Sequence, residues 1–378
     1  MTNLKALFSS RLLSVYKRAL ASRGGIEALA AVAFQRRQAL RRAAAARAGQ
    51  TVPAILIASV TRRCNLDCAG CYSRQIRPSD SSSPRELSDG RFMELFEEAV
   101  DLGVGVIMIA GGEPLLRPGL LARLAAMRGI VVPVFTNGTL LDGSTLPLFG
   151  RTLLPVFSIE GDEAFTAERR GQGVHEAALI RARAIRESGG LFGLSVTVSS
   201  RNAGNALSPA FLSRVAEMGA SVLFLVEYVP VVPGTESLVL SDAQRSILND
   251  QSLTAGLPYP VVRLPGDEEA YGGCLAAGRG FVHIASDGAL EACPFAPFSD
   301  SDAGRLGLAA ALDSPLMRAI RERHHELAET RGGCALRDKA GWIAAISGCA
   351  SLDECAVSGK DPIERTKEVA LAYAENAL

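Results

Sequence analysis

From residue 51 onward, short apolar runs alternate with longer stretches of helical period. Residues 54–60, 104–110, 131–136, 155–160, 192–199 and 221–228 are rich in Val, Ile, Leu or Phe, a composition suited to strands covered on both faces. The segments between them carry helix punctuation. Ser88 stands where an N-cap would start a helix through Leu95 and Val100, and Gly103 stands where a glycine would end it. Pro118 opens the next helix at a position that tolerates a missing amide, and Ser208-Pro209 does the same before Phe211–Met218. Strand followed by helix, repeated, predicts a parallel sheet with helices outside it. Six such units, with no seventh or eighth strand expected, predict an α/β fold: an open, partial (β/α)6 barrel over residues 51–235. Residues 236–270, broken by prolines and glycines around one short helix from Ser241 to Gln251, read as a connector. Residues 271–378 read as a small cysteine-rich β-hairpin and helix domain, in which Asp287-Gly288 predicts a type I′ turn.

In β/α barrels the chemistry gathers at the C-terminal strand ends. Those ends carry Thr136 and Asn137 after the third strand, Ser158 and Glu160 at the fourth, Thr197 and Ser199 at the fifth, and Glu227 and Tyr228 at the sixth. Each has an ordinary structural alternative. Asn137-Gly138 is a common turn pair, strand-end hydroxyls often satisfy backbone groups, and Glu227 after an apolar run is as well explained by an ion pair.

The chain has 378 residues, enough for one large domain and a smaller one, and 48% hydrophobic with 21% charged residues is the composition of a globular protein. No apolar run approaches the ~20 residues that span a bilayer. The net charge of zero conceals an asymmetry: residues 1–50 hold ten Lys or Arg against Glu27 alone, giving +9 there and −9 over the remainder. A basic, alanine-rich segment of this kind suits a membrane-surface helix, a nucleic-acid arm or a transit peptide. The helical period of Leu4, Phe8, Leu12, Val15 and Leu20, broken at Gly24-Gly25, favours a pair of helices packed on the barrel with a solvated basic face.

The eight cysteines are clustered rather than evenly paired, which argues for metal ligation in a reducing compartment, the cytoplasm, over a secreted disulfide scaffold. Thr61–Tyr72, TRRCNLDCAGCY, places Cys64, Cys68 and Cys71 in a C-x3-C-x2-C array directly after the first strand. Three thiolates on one loop can hold three corners of a cubic iron–sulfur cluster and leave the fourth iron open. A structural zinc loop is the alternative, although zinc favours four closed ligands and only one C-x2-C pair stands here. The second apolar run ends in Gly111-Gly112-Glu113-Pro114. Together these features resemble the radical S-adenosylmethionine (radical SAM) superfamily, whose signature loop follows the first strand of a partial β/α barrel. The resemblance implies a 4Fe–4S cluster on Cys64, Cys68 and Cys71 and SAM chelated at its open iron. It also implies SAM amino-group binding by Gly111, Gly112, Glu113 and Pro114, with the glycines letting backbone approach the ligand. Asn137 and Ser158 are further SAM contacts on this resemblance. The position before the third cysteine, often aromatic in the family, is Gly70, with Tyr72 following instead.

The remaining five thiols lie far downstream. Cys274, Gly288 and Cys293 form C-x13-G-x4-C, and Cys349-x5-Cys355 follows, with Cys334 between. This resembles the opening of the auxiliary-cluster extensions called SPASM and twitch domains, without the C-x2-C and C-x3-C pairs of the full SPASM array. The resemblance implies one auxiliary 4Fe–4S cluster with five thiols for at most four positions, and Cys334, outside the x5 spacing, is the expected spare. A zinc knob or buried structural cysteines are the alternative.

The core resemblance further implies reductive cleavage of SAM to methionine and a 5′-deoxyadenosyl radical that removes a hydrogen atom from substrate, with electrons from an external donor such as flavodoxin or ferredoxin. Oxidative modification of a peptide or protein side chain is the first reading. A radical step in cofactor, small-molecule or lipid biosynthesis is the second. A non-catalytic iron–sulfur or zinc-binding protein is the third, and the GGEP segment argues against it, because an electron carrier needs no SAM site.

Overall fold

Among the described residues, nine strands form one sheet in the order β7-β6-β5-β4-β3-β2-β1-β8-β9. The structure is a computed structural model that describes residues 25–76, 85–150, 152–264, 272–327, 334–339 and 341–343. The strands are β1 (Ile55–Ser59), β2 (Val106–Ala110), β3 (Val132–Thr136), β4 (Leu153–Ile159), β5 (Gly193–Val198), β6 (Val222–Glu227), β7 (Val261–Leu264), β8 (Phe281–Ile284) and β9 (Leu290–Glu291). From β1 through β7 each strand pairs parallel with the next, and β8 pairs parallel with β1. The strands are buried almost throughout, as their continuous apolar runs require.

The α/β barrel expectation holds, with one strand more than predicted. Val261–Leu264, inside the expected connector, is a seventh parallel strand, paired from Leu223↔Val261 to Val226↔Leu264. Four residues bounded by Pro258, Pro260 and Pro265 are too short to stand out, and the run contains Arg263. That side chain is only 1% exposed because Leu248 O accepts from its Nε at 2.6 Å and Thr254 Oγ1 from Nη2 at 2.6 Å. The C-terminal hairpin joins the same sheet beyond β1. Its turn is not type I′: Gly288 has φ +101°, but Asp287 is not in the left-handed region. Gly288 N–H donates to Ala285 O at 3.0 Å and Asp287 Oδ1 accepts from Ala289 N at 3.3 Å, a turn closed by one left-handed glycine.

The helix Asp89–Leu102 illustrates how local sequence fixes the outer layer. Ser88 Oγ accepts from Arg91 N at 3.2 Å, and Gly103 at φ +118° closes the other end on Ala99 O and Val100 O. Phe92, Met93, Leu95, Phe96 and Ala99 form its buried face, each large side chain contributing roughly 1.5–3 kcal/mol. The helix Gly25–Arg47 docks on this element's C-terminal end. Fully buried Gln38 donates to Val100 O (2.6 Å) and Val104 O (2.8 Å), and Arg42 donates to Gly103 O (2.5 Å). These donors satisfy carbonyls that a helix end leaves open and place positive charge at the negative end of its dipole. Arg36, Arg37 and Arg47 lie on the exposed side. The period of Leu4 to Leu20 falls outside the described residues.

The sheet curls so that its two ends face one another. Phe135 of β3 meets Phe224 of β6 with ring centroids 5.1 Å apart, and Leu264 of β7 and Phe281 of β8 border one cavity although they lie near opposite ends of the strand order.

Candidate active site

The cysteine loop leaves β1 and is braced from several elements. Thr61 Oγ1 and Arg62 N both donate to Glu86 Oε1, at 2.9 and 2.6 Å. Arg62 Nη2 pairs with Asp287 Oδ2 of the β8–β9 turn at 2.7 Å, both side chains being under a tenth exposed. Ala69 N donates to Arg169 O at 2.8 Å, and Cys71 N to Cys68 O at 3.3 Å. Arg62→Ala should lower stability by roughly 3–5 kcal/mol, the cost of stranding one member of a buried pair. Urea unfolding measures this, and an unchanged midpoint would remove the bridge from the account.

Cys64 is exposed, and Cys68 and Cys71 are half-buried. Burial pushes the Cys64 thiol up; Leu66 N–H opposes this, while Glu113, Cys68 and Cys71 add to it. Burial likewise raises Cys68, with Arg170 and then Arg169 pulling against the push from Cys71. The charges of Cys68 and Cys71 thus act on Cys64, and that of Cys71 acts on Cys68. No group of three His, Cys, Asp or Glu among the described residues is arranged to hold a metal ion. Three thiols on one loop are the donor type that an iron–sulfur cube takes, one for each of three irons.

Beneath the loop, Gly111–Pro114 packs against the chain's own backbone. Gly112 N donates to Thr61 O at 2.7 Å and Glu113 N to Arg63 O at 2.9 Å. A Cβ on Gly112 would stand 2.0 Å from Arg63 O, and one on Gly111, at φ +131°, would stand 2.6 Å from Thr61 O. The close approach that demands glycine here is thus to residues 61–63, where the sequence reading had expected the ligand to require it. Glu113, 1% exposed, accepts from Thr136 Oγ1 (2.7 Å), Leu115 N (3.0 Å) and Asn137 N (2.9 Å). Burial pushes its carboxyl up while these three donors pull it down. Pro114 is buried at the start of the turn Pro114–Leu116.

Asn137 ties the end of β3 to the cysteine loop: Nδ2 donates to Asn65 Oδ1 at 2.9 Å, and Oδ1 accepts from Thr139 N at 2.9 Å. Ser158 is half-buried on β4 opposite Ser195. Tyr72 packs on Phe295, centroids 4.7 Å apart, joining the loop to the segment after Cys293. Glu160, 1% exposed, binds Arg169 Nη1 (2.5 Å) and Arg170 Nε (2.7 Å) through Oε1. Its Oε2 is buried with no hydrogen-bond partner, as is the hydroxyl of Tyr228, and both residues line a pocket beside Ala69. The Tyr228 ring lies over Gly70, whose missing Cβ would stand 2.5 Å from the hydroxyl. An aromatic side chain directly after β6 thus covers the position before the third cysteine.

Cys274, Cys293 and Cys334 line a second cavity, on the concave face of the sheet, with Ile57, Met108, Leu264 and Phe281. Cys334 stands with the other two rather than apart. Cys349 and Cys355 fall outside the described residues. His283, fully buried, bridges Ser59 Oγ (2.8 Å) and Glu291 Oε2 (2.7 Å) and so links β1 to the hairpin. Sequence reasoning missed Glu86, Arg62, Asp287, Arg169 and Arg170. The one local signal was the adjacent arginine pair closing the helix Glu163–Arg170 after Glu160.

A curled parallel sheet with three cysteines on the loop after its first strand defines a β/α-barrel protein with a cysteine-rich site at that strand's C-terminal end. Residues 58–198 match the radical SAM superfamily, and the chain is an enzyme. It is 29% identical over 280 residues to the AdoMet-dependent heme synthase of Methanosarcina barkeri, covering 65% of this chain and 78% of that protein. It is 30% identical over 174 residues to the PqqA peptide cyclase of Gluconobacter oxydans, covering 44% of this chain and 47%, about half, of the relative. The crystal structure of Streptococcus suis SuiB bound to precursor peptide SuiA matches with a TM-score of 0.57 at 17% identity, over 75% of this chain and 70% of that one. The likeness to SuiB concerns the fold. No helix among the described residues is long and apolar enough to cross a membrane.

Proposed function

We propose that this enzyme oxidatively modifies a side chain of a peptide or protein, using one 4Fe–4S cluster on Cys64, Cys68 and Cys71 and an auxiliary one on the later thiols. The observation that carries the reading is the apolar cavity on the concave face, bordered by Cys274, Cys293 and Cys334. An apolar side chain held there would lie beside the proposed auxiliary ligands.

Cys64, Cys68 and Cys71 would hold the first cluster, which with SAM bound would supply the radical chemistry that takes a hydrogen atom from substrate. The chain's own contribution is to hold and orient. Gly111 and Gly112 let the GGEP segment lie directly under the loop, and Glu113 faces the thiols closely enough to raise Cys64. The unpartnered Glu160 Oε2 and Tyr228 hydroxyl, both buried, fit the polar atoms of SAM. Tyr228→Phe should therefore weaken SAM binding about fivefold, the worth of one hydrogen bond. Equilibrium dialysis with labelled SAM tests it, and an unchanged Kd removes the hydroxyl from the site. The exposed Cys64 edge is the proposed entry for electrons from a flavodoxin or ferredoxin, and the cytoplasm the proposed location. With Cys334 at the same cavity as Cys274 and Cys293, we take all three as auxiliary ligands, so that the spare thiol becomes Cys349 or Cys355.

A second reading, a radical step in cofactor biosynthesis, rests on the likeness to the heme synthase over 65% of this chain. Isotope transfer separates the two. Peptides with deuterated Leu, Val or Lys side chains should pass deuterium into 5′-deoxyadenosine. Transfer from a deuterated coproporphyrin, and none from peptide, would favour the second reading.

A further inference from the structure

Apart from the three thiols proposed above as auxiliary ligands, the described lining of the concave-face cavity is apolar with one exception. Glu227, at the end of β6 and 1% exposed, is the only Asp, Glu, Lys or Arg among the described residues that lines it. Arg245, from the helix Asp242–Asn249, donates Nε at 2.9 Å and Nη2 at 2.5 Å to the same oxygen, Oε1. The helix that presents Arg245 is itself fixed by a capping box between Ser241 and Gln244. Oε2 receives no hydrogen bond from the described residues.

We infer that Glu227 Oε2 is a specificity group for the substrate, selecting an apolar stem that ends in a hydrogen-bond donor, such as the amine of a lysine-like chain. This rests on the cavity being the substrate cavity proposed above. Three kinds of occupant can be compared. A wholly apolar group leaves a carboxylate oxygen desolvated and unpaired, which costs more than any hydrogen bond gained elsewhere restores. A carboxylate or phosphate meets no Lys or Arg among the described lining residues and lies against a charge of its own sign. A donor-tipped stem covers the aliphatic wall of Ile55, Ile57, Val262 and Leu264 and supplies the missing partner. The requirement is for a donor, because Arg245 already balances the charge of Glu227.

The test uses the iron-loaded protein with 1-hexylamine and hexanoate, probes of one length and opposite polarity, read as shifts of the thermal unfolding midpoint over a concentration series. Hexylamine should bind the unaltered protein at least about tenfold more tightly than hexanoate. Glu227→Gln should bring the ratio near one. Because Glu227→Gln also removes the charge that Arg245 is bonded to, the ratio in the unaltered protein stands as an independent measurement. Equal binding of the two probes there, or a ratio that persists in Glu227→Gln, would overturn the inference. SAM cleavage measured in the same samples separates it from the reading it rests on: a protein that prefers hexylamine but leaves SAM intact supports the selectivity and removes the radical step.

Discussion

Replacing any one of Cys64, Cys68 or Cys71 by alanine is expected to abolish release of 5′-deoxyadenosine from SAM, a loss of at least about a thousandfold, as for any group without which the chemistry cannot start. The argument is one of geometry and charge. The three thiols occupy one loop between β1 and the helix Tyr72–Ile76, and the burial and mutual charge that raise Cys64 and Cys68 make them costly to ionise unless a cation binds them. A cluster provides that cation, and two thiols hold it too loosely to keep one iron open for SAM. Removing all three should lower iron from about eight to about four per chain, because the proposed second set does not share a ligand with the first. Zinc in place of iron in the unaltered protein, or unchanged cleavage in the triple variant, would contradict this.

Gly112→Val is expected to be almost as damaging, and to act on the cluster as well as on SAM. Its Cβ would enter 2.0 Å from Arg63 O, 2.5 Å from Arg63 C and 2.8 Å from Arg62 O. All three are backbone atoms, so no side-chain rotation relieves the clash, and overpacking of this kind costs typically 1–3 kcal/mol or more. The segment that must move ends directly before Cys64. Iron should therefore fall by about four per chain together with SAM cleavage. Full iron with weakened SAM affinity would restore the expectation that the glycine is needed only for the ligand's approach.

The parts of this fold that were legible in the sequence are those with local causes. Six parallel strands, the Ser88 and Ser208 caps and the Gly103 stop follow from runs and spacings a few residues long. The seventh strand was not legible, because Val261–Leu264 is short, flanked by prolines, and contains an arginine whose burial depends on Leu248 and Thr254. The pairing of β8 with β1 joins residues more than two hundred positions apart, and nothing in either strand names its partner. The same holds for the site. The cysteine array and GGEP announced themselves by spacing, and the likeness to the radical SAM superfamily over residues 58–198 agrees with that recognition. The bridge from Arg62 to Asp287, the Glu160–Arg169 pair and the covering of Gly70 by Tyr228 exist only once the sheet has curled. The type I′ expectation at Asp287-Gly288 failed for a related reason: the Asp287 side chain is engaged by Arg62 and by Ala289 N–H, and the turn closes around those contacts.

The most direct test of the central claim is the product balance of the unaltered protein. After anaerobic reconstitution with iron and sulfide, SAM and dithionite should yield methionine and 5′-deoxyadenosine in equal amounts. A fully iron-loaded protein that leaves SAM intact, with and without candidate peptides, would contradict the account.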